Sequence, residues 1–109
     1  MLGLAAALSA AIAVAAGAFG AHGAEGKAAD WLRTGGLYQL VHAVGALALL
    51  GQPAMRGPAW LLIGGAALFA LTLYAMALGA PRILGAVTPI GGAAMIAGWL
   101  WAGYLFARG

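Results

Sequence analysis

The chain has 109 residues, 65% of them hydrophobic and only 6% charged, with a net charge of +3 and a mean hydropathy of +1.02. A soluble domain is about a quarter charged, so this composition excludes a water-covered globule. The five basic residues form no run or stripe, which leaves nucleic-acid binding without support, and the absence of cysteine excludes disulfides, thiolate metal sites and thiol nucleophiles.

The seven charges cut the chain into uncharged lengths of 24, 22, 25 and 25 residues: 1–24, 34–55, 57–81 and 83–107. About 20 apolar residues in a helix cross the hydrocarbon core of a bilayer. The expectation is therefore an all-α, polytopic membrane protein with four transmembrane helices in an antiparallel bundle, a single domain over 1–109. The connections are too short for a soluble domain or a large catalytic loop.

Helix 1 is predicted from about Leu2 to Ala21, with Gly23 as a left-handed stop. No Lys or Arg precedes it and its apolar run is about twice that of a secretory signal, so it is expected to be retained. Ser9, Ala13, Gly17 and Ala21 recur every four residues, and Ala16 and Gly20 do the same. Lipid supplies no hydrophobic drive between helices, so close contact over small residues is what joins them, and helix 1 is expected in the bundle centre. The plain alternative is that Ala and Gly reflect base composition.

Helix 2 is predicted over 30–51, capped by Asp30 and ended by Gln52-Pro53. Trp31, Gly35, Tyr38, His42 and Gly45 form a polar or small face that should meet protein. Leu37, Leu40, Val44 and Leu47 form an aliphatic face for lipid. Helix 3 is predicted over 58–79, from Gly57-Pro58 to Gly79-Ala80-Pro81, and helix 4 over 89–107, opened by Thr88-Pro89. Ile83 to Val87 then forms a short interfacial segment, unless Pro89 kinks a longer helix. Gly91, Gly92, Gly98 and Gly103 give helix 4 its own packing surface. Four spans put both termini on one side with Arg56 and Arg108, and Lys27, Arg33 and Arg82 on the other, a balance that does not set orientation.

The polar residues gather in one half of the bundle, next to Arg33 and Arg82. His22 ends helix 1, Tyr38 lies about two turns into helix 2 with His42 one turn deeper near mid-membrane, Thr72 and Tyr74 lie in the last two turns of helix 3, and Thr88 opens helix 4. The expectation is one polar, ligand-binding pocket of these six residues, open toward the first and third connections. Trp60, Trp101 and Tyr104 form an aromatic belt on the other side. Each member also has a structural reading: a threonine bonded back to its own helix, interfacial tyrosines, a histidine bridging two helices. His42 is the ionisable group within a span, which makes it informative.

No metal site or cofactor is expected. His22 and His42 differ in depth by on the order of 13 Å, too far for one iron. Two histidines with Glu25 and Asp30 make no zinc or di-iron set. Ser9 as the lone serine, and spans without acids, leave no hydrolase or transferase constellation, so an enzyme is not expected. The bilayer is the certain partner. A membrane-protein partner, further copies of the chain, or a lipid-like ligand remain open, and a channel or carrier acting as an oligomer is the alternative.

Gly17-Ala18-Phe19-Gly20-Ala21-His22, Tyr38-Gln39-Leu40 leading to His42-Ala43, Leu73-Tyr74, Thr88-Pro89-Ile90-Gly91-Gly92 and Gly98-Trp99 resemble the YgdD-type family, small four-helix membrane proteins carrying a domain of unknown function. The likeness covers nearly the whole chain. It implies an intact first helix and multi-pass insertion in a bacterial inner membrane, and it implies no activity. Such proteins often show Ser-Gly-Ser before the Leu-Tyr of helix 3; Ala70-Leu71-Thr72 stands there here, leaving Thr72 as the one hydroxyl at that place.

Overall fold

A computed structural model describes residues 1–109. Its elements are α1 (Leu2–His22), α2 (Gly26–Ala48), a 3₁₀ turn at Pro53–Met55, α3 (Arg56–Ala77), a 3₁₀ turn at Arg82–Ala86, and α4 (Thr88–Arg108). Two left-handed glycines make the tight links on one side, Gly26 at φ +62° before α2 and Gly79 at φ +108° after α3. Gly23, expected in that role, stays at φ −115°. Helix α2 consequently starts four residues before Asp30, which lies inside it rather than capping it, and ends at Ala48 rather than Gly51. The short segment before α4 is a 3₁₀ turn, and Thr88 does not cap α4, because its hydroxyl is engaged elsewhere.

Each helix packs against the next in sequence, α1 also touches α3, and α1 and α4 do not pack along their lengths. The consecutive helices are antiparallel. One core cluster joins Leu2 and Ala6 of α1, Ala46 of α2, Ala59, Leu62 and Ile63 of α3 and Ala102 of α4 at one end, and a second joins Leu32, Ala70 and Tyr74 at the other. The central helix is α3, not α1. In α3's apolar stretch 56% of residues are buried, against 22% for α1 and for α4. Small residues do join α1 to the rest, with Ser9, Ala13 and Gly20 buried, but only along one side. Leu4, Leu8, Ile12, Val14 and Phe19 face outward.

Close approach depends on particular glycines. A Cβ on Gly91 would stand 2.5 Å from the Phe69 nitrogen and 2.6 Å from the Gly65 carbonyl oxygen, so α3 and α4 touch backbone to backbone there. Gly98 fits under Leu62 in the same seam, while a Cβ on Gly92 would reach only 3.9 Å from Phe69. Between α1 and α2 the close glycines are Gly36, whose Cβ would meet the Ala13 carbonyl oxygen at 3.0 Å, and Gly20, whose Cβ would meet Leu32 Cβ at 3.0 Å and the Ala29 carbonyl oxygen at 3.2 Å. A Cβ on Gly17 would meet nothing within 4 Å.

The bundle is 46 Å long, and large apolar side chains cover its exterior. Three segments, Leu2–His22, Pro53–Ala77 and Arg82–Arg108, are long and apolar enough to cross a membrane. Helix α2, with 23 residues, is long enough, but Lys27, Asp30, Arg33, Gln39 and His42 lower its apolar content. Those facts establish an all-helical membrane protein.

Candidate functional site

Sequence spacing turns α2 so that Ala29, Leu32, Gly35, Gly36, Gln39, His42, Ala43 and Ala46 face inward. This face lies one residue away from the expected one at its most polar point. Gln39 is buried at 2% exposure and Tyr38 is 44% exposed. An amide has two donors and an acceptor to satisfy, and lipid offers nothing for them. A tyrosine ring tolerates the lipid side. Gln39 Nε2 donates to Ser9 Oγ at 3.0 Å, and Tyr74 Oη donates to Gln39 Oε1 at 2.7 Å. One side chain thus ties α1, α2 and α3 together in the interior of the bundle. The Tyr74 ring lies against Gly35, where a Cβ would come within 2.7 Å of it.

The six residues expected in one pocket fall into separate places. Tyr74 belongs to this three-helix chain of hydrogen bonds. Thr72 and Thr88 form a second polar contact between α3 and α4, their hydroxyls 2.6 Å apart, with the Leu68, Phe69 and Leu84 carbonyls accepting locally. His22 is exposed at the end of α1. Tyr38 and His42 remain together, on the groove between α2 and α4.

That groove, of about 410 Å³, is floored by Phe69 of α3 and walled by Tyr38 and His42 on one side and Gly92, Met95, Ile96 and Trp99 on the other. It exists because α2 and α4 both pack on α3 without meeting over most of their length. His42 is 6% exposed. Its Nδ1 lies 2.6 Å from the Tyr38 carbonyl oxygen, which can only accept, so Nδ1 carries the proton. No protein group bonds to Nε2, and that nitrogen is not sealed in, since no buried side-chain nitrogen or oxygen lacks a partner. The Tyr38 ring stacks beside the imidazole at 6.2 Å and meets Phe69 at 4.8 Å; Trp99 is tilted against the imidazole at 5.8 Å. Trp99 also crosses Gly45, which leaves room for its indole.

Two further hollows lie at the ends. Lys27, Trp31, Arg82 and Thr88 line one of about 380 Å³ that shares Phe69 with the groove, and the Arg82 guanidinium sits 5.9 Å over the Trp31 ring. The largest, about 490 Å³, lies between the second connection and the chain end, lined by Gln52, Met55, Leu105 and Arg108 among others, and encloses no buried polar side chain. No group of three His, Cys, Asp or Glu side chains comes together in a set able to hold a metal.

No solved structure matches this chain. Its relatives include bacterial membrane proteins. UPF0382 membrane protein SERP0230 of Staphylococcus epidermidis is 44% identical over 86% of this chain and 84% of its own length. UPF0382 membrane protein YwdK of Bacillus subtilis is 40% identical over 86% and 85%. A UPF0382 membrane protein of Haemophilus influenzae is 38% identical over 90% and 86%. Bacterial membrane relatives on that scale, together with the apolar helices, make this a multi-pass protein of the bacterial inner membrane. Residues 16–92, which hold Gln39, His42, Phe69, Thr72, Tyr74 and most of the groove, match the family described as Protein of unknown function (DUF423), and the chain belongs to that family.

Proposed function

We propose that the chain crosses the membrane four times and is a non-enzymatic bundle whose α2–α4 groove holds a lipid-like molecule. Two features support the fourth crossing. Helix α2 is roughly 34 Å long at 1.5 Å per residue. Its intramembrane polar groups turn inward, where both polar atoms of the Gln39 amide are hydrogen-bonded and His42 is almost buried. Its sequence is less apolar because it lies between two protein neighbours, not because it lies in water. We also infer that the YgdD-type proteins, which share the motifs around His22, His42 and Thr88, belong with this group.

The observation that carries the binding reading is the free nitrogen of His42. A polar side chain this buried, with one nitrogen unpartnered at the edge of an apolar groove, is costly in a bilayer unless something visits it. A catalytic role has less support, because no acid, serine or second base lines the groove with His42. A path for a solute through one chain also has little support. On the Trp101 side the interior is filled by the apolar cluster that includes Leu2, Leu49, Met55, Leu62 and Ala102.

Native mass spectrometry of protein released from mild detergent tests this reading and reports subunit number in the same spectrum. The expected result is a co-purifying amphiphile on the wild type that is absent from His42→Ala. Identical masses for both, with nothing retained by either, contradict it. Retention of a second protein chain instead of a small molecule would favour the partner-binding role.

A further inference from the structure

We infer that the groove accepts a hydroxyl-bearing ring amphiphile, a phenol or quinol with an apolar tail, whose O–H donates to Nε2 of His42. This rests on the groove being a ligand site and adds the chemistry of the ligand.

The tautomer supplies the first step. Nδ1 must donate to the Tyr38 carbonyl, so in the neutral ring Nε2 carries a lone pair and no proton. Whatever satisfies Nε2 must therefore bring a donor. No lining residue does so. Tyr38 reaches the imidazole with its ring face, and Phe69, Gly92, Met95, Ile96 and Trp99 have no hydroxyl, while the Trp99 indole is tilted against the ring without a hydrogen bond. An acyl chain would leave the nitrogen bare. A quinone, which has only carbonyl acceptors, would set acceptor against acceptor. A phenolic or quinol hydroxyl meets the need.

The walls supply the second step. Tyr38, Phe69 and Trp99 bring three aromatic surfaces to one groove of about 410 Å³, within the usual range for a small-molecule site, and with the imidazole stacked on Tyr38, and Phe69 and Trp99 tilted against that pair, they favour a flat guest by stacking and edge contacts. Met95 and Ile96 continue the groove as an aliphatic surface for a tail, and Gly92 adds no side chain to narrow it. The groove opens between α2 and α4 toward lipid, the phase from which such a molecule arrives.

The test compares 4-octylphenol with 4-octylanisole, matched in ring and tail, with the hydroxyl proton of the first replaced by a methyl group in the second. Protein labelled with ¹⁵N-histidine in mild detergent is titrated with each, with retention read by native mass spectrometry and the His42 Nε2 resonance read by NMR. A guest that covers Nε2 without donating to it leaves an acceptor unpaired, which costs enough that the phenol is expected to bind at least about tenfold more tightly than the anisole. The phenol alone should shift the Nε2 resonance. His42→Leu should bind the two alike, and His42→Gln, which restores an acceptor, should recover part of the preference. Equal binding of both compounds by the wild type, with no Nε2 shift, overturns the donor proposal while leaving the groove as a ligand site. Binding of neither overturns both readings.

Discussion

Gly91→Ala is expected to destabilise the fold by about 3 kcal/mol, near the upper end for inserting a methyl into a packed interior. The added carbon would stand 2.5 Å from the Phe69 nitrogen and 2.9 Å from its Cα, so backbone rather than a mobile side chain must move. The α3–α4 seam would open along its length and strain the Thr72–Thr88 contact three residues away. Lipid does not push helices together, and close backbone approach is therefore a main source of attraction that the substitution removes. The control is Gly64→Ala or Gly17→Ala, where a Cβ meets nothing within 4 Å. There the better helix propensity of alanine should leave stability unchanged or raised by up to about 1 kcal/mol. Denaturation in mixed micelles of graded dodecyl sulfate content checks all three. Equal behaviour of Gly91→Ala and Gly17→Ala would show that the seam is not closely packed.

Gln39→Leu is expected to cost about 2 kcal/mol, because it leaves the Tyr74 hydroxyl and the Ser9 hydroxyl without their partner. The serine can turn back to a carbonyl of its own helix, so most of the loss belongs to Tyr74. The logic of unpaired groups makes a sharper demand. Removing all three polar ends together, as Ser9→Ala, Gln39→Leu and Tyr74→Phe, should recover much of the stability, since no group is then left unsatisfied. The same denaturation series reads both variants. A triple variant no more stable than the single one would mean that the cost comes from shape rather than from hydrogen bonding.

The number and limits of the helices were legible in the sequence because charges mark where lipid ends. Lys27, Arg56, Arg82 and Arg108 lie at or beside helix ends, Arg33 lies two turns inside α2, and every boundary fell within a few residues except the start of α2. That start was missed because Asp30 resembles a cap, while the chain turns earlier at left-handed Gly26. Depth was also legible, since it follows from residue number at 1.5 Å per residue. Rotation about each helix was not. Thr72 and Tyr74 share a height but stand about 200° apart at 100° per residue, so one faces α4 and the other faces α2. A single six-residue pocket could not form from that arrangement.

The same difficulty hid Gln39. Its neighbour Tyr38 fitted the spacing of glycines and His42 as well as it did, and aromatic character drew attention to the wrong one. The signal that separates them is chemical. An amide in a membrane interior must be bonded by protein, whereas a tyrosine can sit against lipid. Small residues on α1 correctly marked a contact surface, but they do not say on how many sides a helix has neighbours. The central position of α3 follows instead from its wider buried surface, from Ala59 and Leu62 to Gly65, Ala70 and Leu73, which leaves only Arg56 at its start and the stripe of Trp60, Gly64, Leu68 and Leu71 exposed.

The account turns on α2 lying across the bilayer, since its inward amide, its half-exposed tyrosine and the groove beside His42 acquire their meaning only there. The chain has no cysteine, so single cysteines at Lys27, Gln52, Arg82 and Gly109 can be labelled in intact cells with a membrane-impermeant maleimide without background. Four crossings predict that positions 27 and 82 react alike, that 52 and 109 react alike, and that the two pairs lie on opposite sides. Labelling of 27 and 52 from the same side would contradict it.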